Sequence, residues 1–286
     1  MIEIVFNKPI IVFYHGECPD GFSAAWAAWK KLGDSAQYVA LTYRMKPFED
    51  LQGKEIYFLD FSYEADVFKK LVANNTSVTV IDHHASRVED IKHASKFVFD
   101  NDHSGAVLAW NYFHPNQKPP MFLKYIEDRD LWNWKLDNSH ELTASIDSFD
   151  MSFDVWDGLV MDFENVSTLQ KHVMVGEAIL TYEKKTAERL ANESKILVEF
   201  EGYTCYSINA PHIFASLISS VLIKDKPPIA IIWSYTEDGI RVSLRCEKEN
   251  GSIDVSVLAA KYGGGGHKSA AGFTMGKDFK FPWKEI

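Results

Sequence analysis

The chain has 286 residues, of which 46% are hydrophobic and 24% charged, enough apolar material for one large globular domain or, better, two. A net charge of -10 argues against a protein that grips long nucleic acid through a broad basic surface, although metal ions and a few local cations could still neutralise a short anionic substrate. Cys18, Cys205 and Cys246 are widely spaced and form no CxxC pair, so neither a disulfide framework nor a zinc finger is expected. The N-terminus lacks the charged and apolar regions of a signal peptide, and no window approaches about 18 uninterrupted apolar residues, so a cytoplasmic protein without a membrane span is expected.

From the N-terminus, residues 10–14 form an apolar, β-branched run that ends in His15. A turn over 15–21 contains Asp20-Gly21, and the helix that follows, from 22, is rich in small residues able to pack close to a sheet. Asp-Gly is by itself a common turn dipeptide; with His15 at a strand end five residues upstream, a ligand pair is the better reading. A short strand at 36–43 precedes another at 56–59, which runs into Asp60. A carboxylate between Leu59 and Phe61 is costly without a strong partner, and capping of a helix at 64–74 is the competing explanation. Val78-Thr79-Val80-Ile81 reads as a buried strand of a parallel sheet, and Asp82-His83-His84 follows it. A lone Asp-His-His could be a solvated turn. In company it reads differently: three strand ends would bring His15, Asp60 and Asp82-His83-His84 to one edge of a parallel sheet, where open α/β sheets bind ligands. Carboxylates and imidazoles are the donors of a metal site.

Residues 97–100 give a further short strand, and Ser104 is expected to cap an Ala/Leu-rich helix whose start could also face a phosphate; His103 is read as a loop residue. Prolines break the pattern at 114–120. A helix at 121–126 leads into Glu127-Asp128-Arg129-Asp130, a fourth source of carboxylates. Residues 139–200 read as mainly helical, with Phe149, Phe153, Trp156 and Leu159 as core and a solvated connecting helix from about 165 to 195. Strands follow at 196–200, 203–208, 228–233 and 239–246, the last two able to pair as a hairpin, and a short helix at 255–262 meets Gly263-Gly264-Gly265-Gly266-His267. Four successive glycines cost conformational entropy and make sense where backbone amides approach an anion; a flexible linker is the competing reading. The expected fold is α/β: a parallel-sheet domain with helices on both faces over 1–165, a helical connector over 166–195, and a second, smaller α/β domain over 196–286.

Taken in order, His15 through Asp20-Gly21, Asp60, Asp82-His83-His84, an acid near 128 and the box from Gly263 to His267 resemble the DHH phosphoesterase superfamily, whose members carry a DHH domain followed by a smaller DHH-associated domain. The form His-Gly-x-Cys-Pro-Asp-Gly-Phe, with Asp-Arg-Asp-Leu-Trp later, looks most like the NrnB-type oligoribonucleases within it. The resemblance implies a two-metal site, usually manganese (Mn2+), with His15, Asp20, Asp60, His83 and Asp128 at ligand positions and Asp60 bridging both ions. Asp82 would orient the cluster, and His84 would contact the scissile phosphate or its leaving group. Arg245, Gly264, Gly265, Gly266 and His267 would hold the substrate's phosphates or terminal nucleotide. The implied activity is metal-dependent exonucleolytic hydrolysis of short oligoribonucleotides to nucleoside monophosphates, with no long nucleic acid and no membrane as partner and a homo-oligomer left open.

Three other readings stay open beside it: a linear or cyclic dinucleotide phosphodiesterase, a phosphatase of adenosine 3',5'-bisphosphate, and, from another class, a nucleotide sensor that binds without turnover. An inorganic pyrophosphatase shares the metal domain, but the glycine box points to an organic substrate, and a RecJ-like exonuclease fits poorly with so short and acidic a chain. Two departures bear on the site. Many relatives have two aspartates in the first motif, whereas here Glu17, Cys18 and Pro19 precede a single Asp20; one metal then lacks a carboxylate, or Glu17 or Cys18 replaces it. In the fourth motif Asp128 and Asp130 both fit, and the position relative to Leu131 favours Asp128.

Overall fold

The computed structural model describes residues 4–16, 18–43, 45–226, 228–247 and 253–286, so Glu17 lies outside the described residues. Two compact units divide at Ile179/Leu180. The first runs through β1 (Ile10–His15), α1 (Pro19–Leu32), β2 (Ala36–Leu41), β3 (Glu55–Leu59), α2 (Ala65–Asn74), β4 (Ser77–Asp82), α3 (Val88–Ile91), β5 (Lys96–Phe99), α4 (Gly105–Phe113), α5 (Met121–Asp130), α6 (Ser139–Ile146), α7 (Phe153–Phe163) and the first part of α8 (Val166–Ser194). Its five strands are all parallel, in the order β2-β1-β3-β4-β5.

The central strands are apolar on both faces because both faces are covered. Ile11, Phe13, Ile56, Phe58, Val78 and Val80 pack with Val67, Phe68 and Leu71 of α2 and with Ile91. On the other face Val12, Tyr57, Leu59 and Ile81 pack with α1, α4, α5 and α7. The run of small residues in α1 serves close approach: Ala24, Ala25, Ala27 and Ala28 are fully buried, and beside them Trp26 stacks on Trp110 of α4 at 5.5 Å between ring centres. Fully burying an aromatic or large aliphatic side chain contributes roughly 1.5–3 kcal/mol, so the two layers anchor the sheet edge on which the polar residues stand. Strand order reverses between β1 and β3, which places the binding crevice of such a sheet outside the carboxyl ends of those two strands.

Three elements differ from the sequence expectation in ways that matter below. α1 opens at Pro19, a residue suited to the first helical position, so Asp20 sits in the first turn of a helix rather than in a loop. α2 begins at Ala65 with Glu64 at the capping position, which removes capping as the explanation for Asp60. The helix expected to end at 126 continues to Asp130.

The second unit contains the rest of α8 and then β6 (Ile196–Phe200), β7 (Tyr203–Asn209), α9 (Ala215–Asp225), β8 (Ile229–Thr236), β9 (Gly239–Cys246), α10 (Val255–Ala260), β10 (Gly265–His267), β11 (Ala270–Gly276) and β12 (Lys284–Glu285). The sheet order is β10-β11-β9-β8-β7-β6-β12. Only β7 and β8 pair in parallel, joined by the α9 crossover, and β8 and β9 form the expected hairpin. One face packs against Val255, Leu258 and Ala259 of α10, the other against Ile218 and Leu222 of α9 with Ala187 and Ala191 of α8. Among the described residues no helix is long and apolar enough to cross a membrane.

Candidate metal centre

Side chains from three strand ends and two helix ends meet at the carboxyl edge of the parallel sheet. His15 closes β1, and its Nδ1 lies 3.3 Å from Asp60 Oδ2. Asp60 follows β3 with φ 54°, a left-handed conformation that aspartate tolerates better than most residues; its amide donates to Ile81 O at 2.9 Å, while its other carboxylate oxygen, Oδ1, stands 3.2 Å from His83 Nε2. Asp20 is 2% exposed and accepts hydrogen bonds from the Gly105 and Ala106 amides at 2.7 and 3.0 Å, so the N-terminus of α4 stabilises a carboxylate that burial would otherwise penalise. The approach requires glycine at two places: a Cβ on Gly105 would lie 2.6 Å from Asp60 Cβ, and one on Gly21 would lie 2.3 Å from His15 O.

Asp82, the last residue of β4, works through its neighbours. Its Oδ1 accepts the amides of His83 at 2.7 Å and His84 at 3.2 Å and pairs with His84 Nδ1 at 2.7 Å; its Oδ2 accepts from Ser62 Oγ. A histidine whose Nδ1 is held by a carboxylate has its ring orientation set and its Nε2 free for chemistry. Nothing in the sequence pattern pointed to Ser62; its only signal is its place two residues after Asp60.

Of the two acids left open in the fourth motif, Asp130 is the one brought to the cluster: its Oδ2 is 3.5 Å from His83 Nε2. Asp128 accepts from the Lys135 and Leu136 amides at 2.9 and 3.2 Å and lines a separate pocket of about 440 Å³ with His103, Lys124 and Lys135. With α5 continuing to Asp130, residues two apart face roughly opposite sides of the helix, and the geometry does not favour the expectation of Asp128 as ligand.

Among the described residues, donor atoms fall into three groups, each within 4.8 Å: His15 with Cys18 and Asp60, Asp60 with His83 and His84, and Asp20 with His83 and Asp130. Two observations test whether a divalent cation fits here. Asp60 Oδ1 is buried and accepts no hydrogen bond, an expensive state for a carboxylate oxygen unless something else satisfies it. The acids also oppose one another: burial, then the charges of Asp60 and Asp130, push Asp20 well above the ordinary carboxylate range, and burial likewise pushes Asp130 up. The hydrogen bond to Asp60 raises His15 to about 10, and His83, which burial alone would lower, is raised to about 9 by Asp60, Asp20 and Asp130. Several carboxylates in one dry space ionise together only beside concentrated positive charge. The donor set fits divalent cations.

In the second unit, Arg241, Ser243 and Arg245 alternate along β9 and so share one face of the sheet. With His212, Gly263, Gly264, Gly265 and Gly266 they line a groove of about 490 Å³. Burial, then the charges of Arg241 and Arg245, push His212 below its ordinary range. The glycine run is partly strand: Gly265 and Gly266 pair with β11, and a Cβ on Gly264 would lie 2.1 Å from Gly272 O. His267 is exposed at the end of β10 and does not line the groove.

Residues 204–281 match the DHHA1 domain family. Oligoribonuclease NrnB of Bacillus subtilis is 28% identical over 69% of this chain and 53% of its own length. The chain is similar to members of the DHH phosphoesterase superfamily. An uncharacterised protein of Acanthamoeba polyphaga mimivirus is 26% identical over 95% of this chain and 69% of its own length. In fold, the chain is similar to a solved DHH domain from a member of the s1p family of ribosomal proteins, with a TM-score of 0.54 at 16% identity, covering 94% of this chain and 83% of that one. Against NrnB the chain spans about half the relative's length. The DHHA1 match contains both Arg245 and the whole glycine run, while the DHH residues, Asp82-His83-His84, stand at the cluster of the first unit.

Proposed function

We propose that this protein is a divalent-metal-dependent phosphodiester hydrolase that degrades short oligoribonucleotides to nucleoside monophosphates. The observation that carries the reading is the meeting of His15, Asp20, Asp60, His83 and Asp130 at the carboxyl edge of a parallel sheet, with Asp60 Oδ1 buried and accepting no hydrogen bond. Those five residues would hold two divalent ions, Mn2+ among those suited to an oxygen-and-imidazole set, with Asp60 shared because it belongs to two of the donor groups. Such ions supply Lewis-acid stabilisation of phosphoryl charge and activation of water near neutral pH.

The protein's own groups provide the rest. Asp82 holds His84 by Nδ1, so Nε2 can donate a hydrogen bond or a proton to the oxygen that leaves the phosphorus. Arg245 presents a planar set of donors matched to phosphate, and the glycine-lined groove lets backbone come close to an anion. A net charge of -10 favours a short substrate, and the likeness to NrnB supports an oligoribonucleotide. The test is incubation of the purified protein and Mn2+ with end-labelled RNAs of two to five nucleotides. Release of mononucleotides supports the hydrolase; tight binding without release would turn the reading to a sensor, and release confined to a dinucleotide would narrow it to a dinucleotide phosphodiesterase.

A further inference from the structure

The donor groups around Asp60 are chemically unlike. Asp20, His83 and Asp130 offer oxygens and one imidazole, whereas His15 and Asp60 are joined by the thiol of Cys18, with the three donor atoms within 4.8 Å of one another. The fold fixes where that sulfur sits. Cys18 is extended, with φ -127° and ψ 125°, at the capping position of α1, and its carbonyl accepts the Phe22 amide at 2.9 Å. Serine, threonine, aspartate or asparagine at such a position would cap the helix through a side-chain oxygen. Cys18 makes no side-chain capping bond, so the thiol forgoes that stabilisation and is left facing other work. Cys205 and Cys246 contrast with it: both are buried among the apolar residues of the second unit, where a cysteine acts as a small hydrophobe. Asp60, 1% exposed, faces this group with Oδ2, 3.3 Å from His15 Nδ1, while its Oδ1, which accepts no hydrogen bond, faces His83.

We propose that Cys18 binds a divalent cation as a thiolate together with His15 and Asp60, so that the two metal positions differ: one contains sulfur and takes borderline or soft ions such as Zn2+, Co2+ or Cd2+, the other is oxygen-dominated and suits Mn2+ or Mg2+. The proposal rests on the reading of the cluster as a metal centre. Soft thiolate donors select softer cations, and carboxylate donors select harder ones. On binding, the thiol's proton passes to solvent and its electron pair to the metal. Two cations of different hardness would then be retained from a mixture, with neither displacing the other.

The test is a cobalt titration of the metal-free, full-length protein, with bound Co2+ counted by equilibrium dialysis. A sulfur-to-cobalt charge-transfer band in the near ultraviolet should grow as cobalt binds, and X-ray absorption of the zinc form should show a sulfur shell at about 2.3 Å. Cys18→Ser should lose the band. Its hydroxyl can cap α1, so the fold is not weakened, and affinity for Cd2+ should fall at least about tenfold with affinity for Mn2+ at the oxygen-dominated position little changed. Cys18→Asp should bind Co2+ without the band. Cobalt bound by the natural protein with no sulfur band, or a band that survives in Cys18→Ser, overturns the thiolate ligand and leaves the metal centre standing. No cobalt bound at all overturns the metal centre and the proposal with it.

Discussion

Asp60→Asn separates the charge at the centre from its shape. Asparagine also tolerates the left-handed backbone seen at φ 54°, and its carbonyl oxygen can still accept from His15. The amide also removes a charge that, with burial, holds Asp20 and Asp130 above the ordinary carboxylate range, so the metal-free variant should melt close to the natural protein. Cation binding should not survive, because Asp60 belongs to two of the three donor groups and contributes one oxygen to each side of the cluster. A ligand bound only by the folded state, at a hundredfold excess over its Kd, stabilises by about 2.7 kcal/mol, which for a unit of this size raises Tm by about 5 to 10 °C. Thermal melts with and without MnCl2 should show that rise in the natural protein and less than about 2 °C in Asp60→Asn. A variant that keeps the full rise would refute the placement of Asp60 at the heart of the site.

Asp130→Asn should cut metal affinity about 10- to 100-fold with Tm of the metal-free protein unchanged, whereas Asp128→Asn, which disturbs the acceptor of the Lys135 and Leu136 amides, should cost about 1 to 3 kcal/mol of stability and leave affinity near normal; calorimetric titration and urea melts read the two effects apart. In the glycine run, Gly264→Ala should destabilise the second unit by about 1 to 3 kcal/mol, because its Cβ would lie 2.1 Å from Gly272 O. Gly265→Ala meets nothing within 4 Å and should fold normally, yet raise KM by narrowing the groove it lines. Arg245→Ala should raise KM for short RNA about tenfold or more, the loss of charged hydrogen bonds, with kcat nearly unchanged; an unchanged KM would remove Arg245 from substrate binding.

The parallel sheet and its polar edge were legible because each central strand is an apolar run that stops abruptly at a titratable residue: Tyr14 before His15, Leu59 before Asp60, Ile81 before Asp82. Such a pattern has few physical explanations once three strands share it. The fourth acid was not legible for a different reason. Choosing between Asp128 and Asp130 requires the phase of α5 against the sheet, and that phase is set by which of Phe122, Leu123, Tyr125 and Ile126 pack into the core, a tertiary outcome with no local signature. The glycine run showed that backbone must come close to something. That part of it would pair as β10 beside β11 depends on register with residues after the turn, which the run itself does not encode.

A last arrangement shows why geometry has to follow pattern. Ser145 Oγ lies 2.9 Å from His172 Nδ1, and His172 Nε2 lies 3.2 Å from Asp162 Oδ2, the connectivity of a nucleophilic triad. A triad serine must meet a carbonyl or phosphoryl group, and Ser145 is 0% exposed. The imidazole sits between the rings of Phe149 and Phe163 at 5.7 and 5.4 Å, and the three polar residues come from α6, α7 and α8. Hydrogen bonds that link the buried Ser145 and His172 to the half-exposed Asp162 fix helices in one packing, so the same three residue types here clasp three helices together. Ser145→Ala should accordingly lower the Tm of the first unit and leave turnover of short RNA intact once folded. Turnover lost in a variant that melts normally would show that the clasp takes part in the reaction.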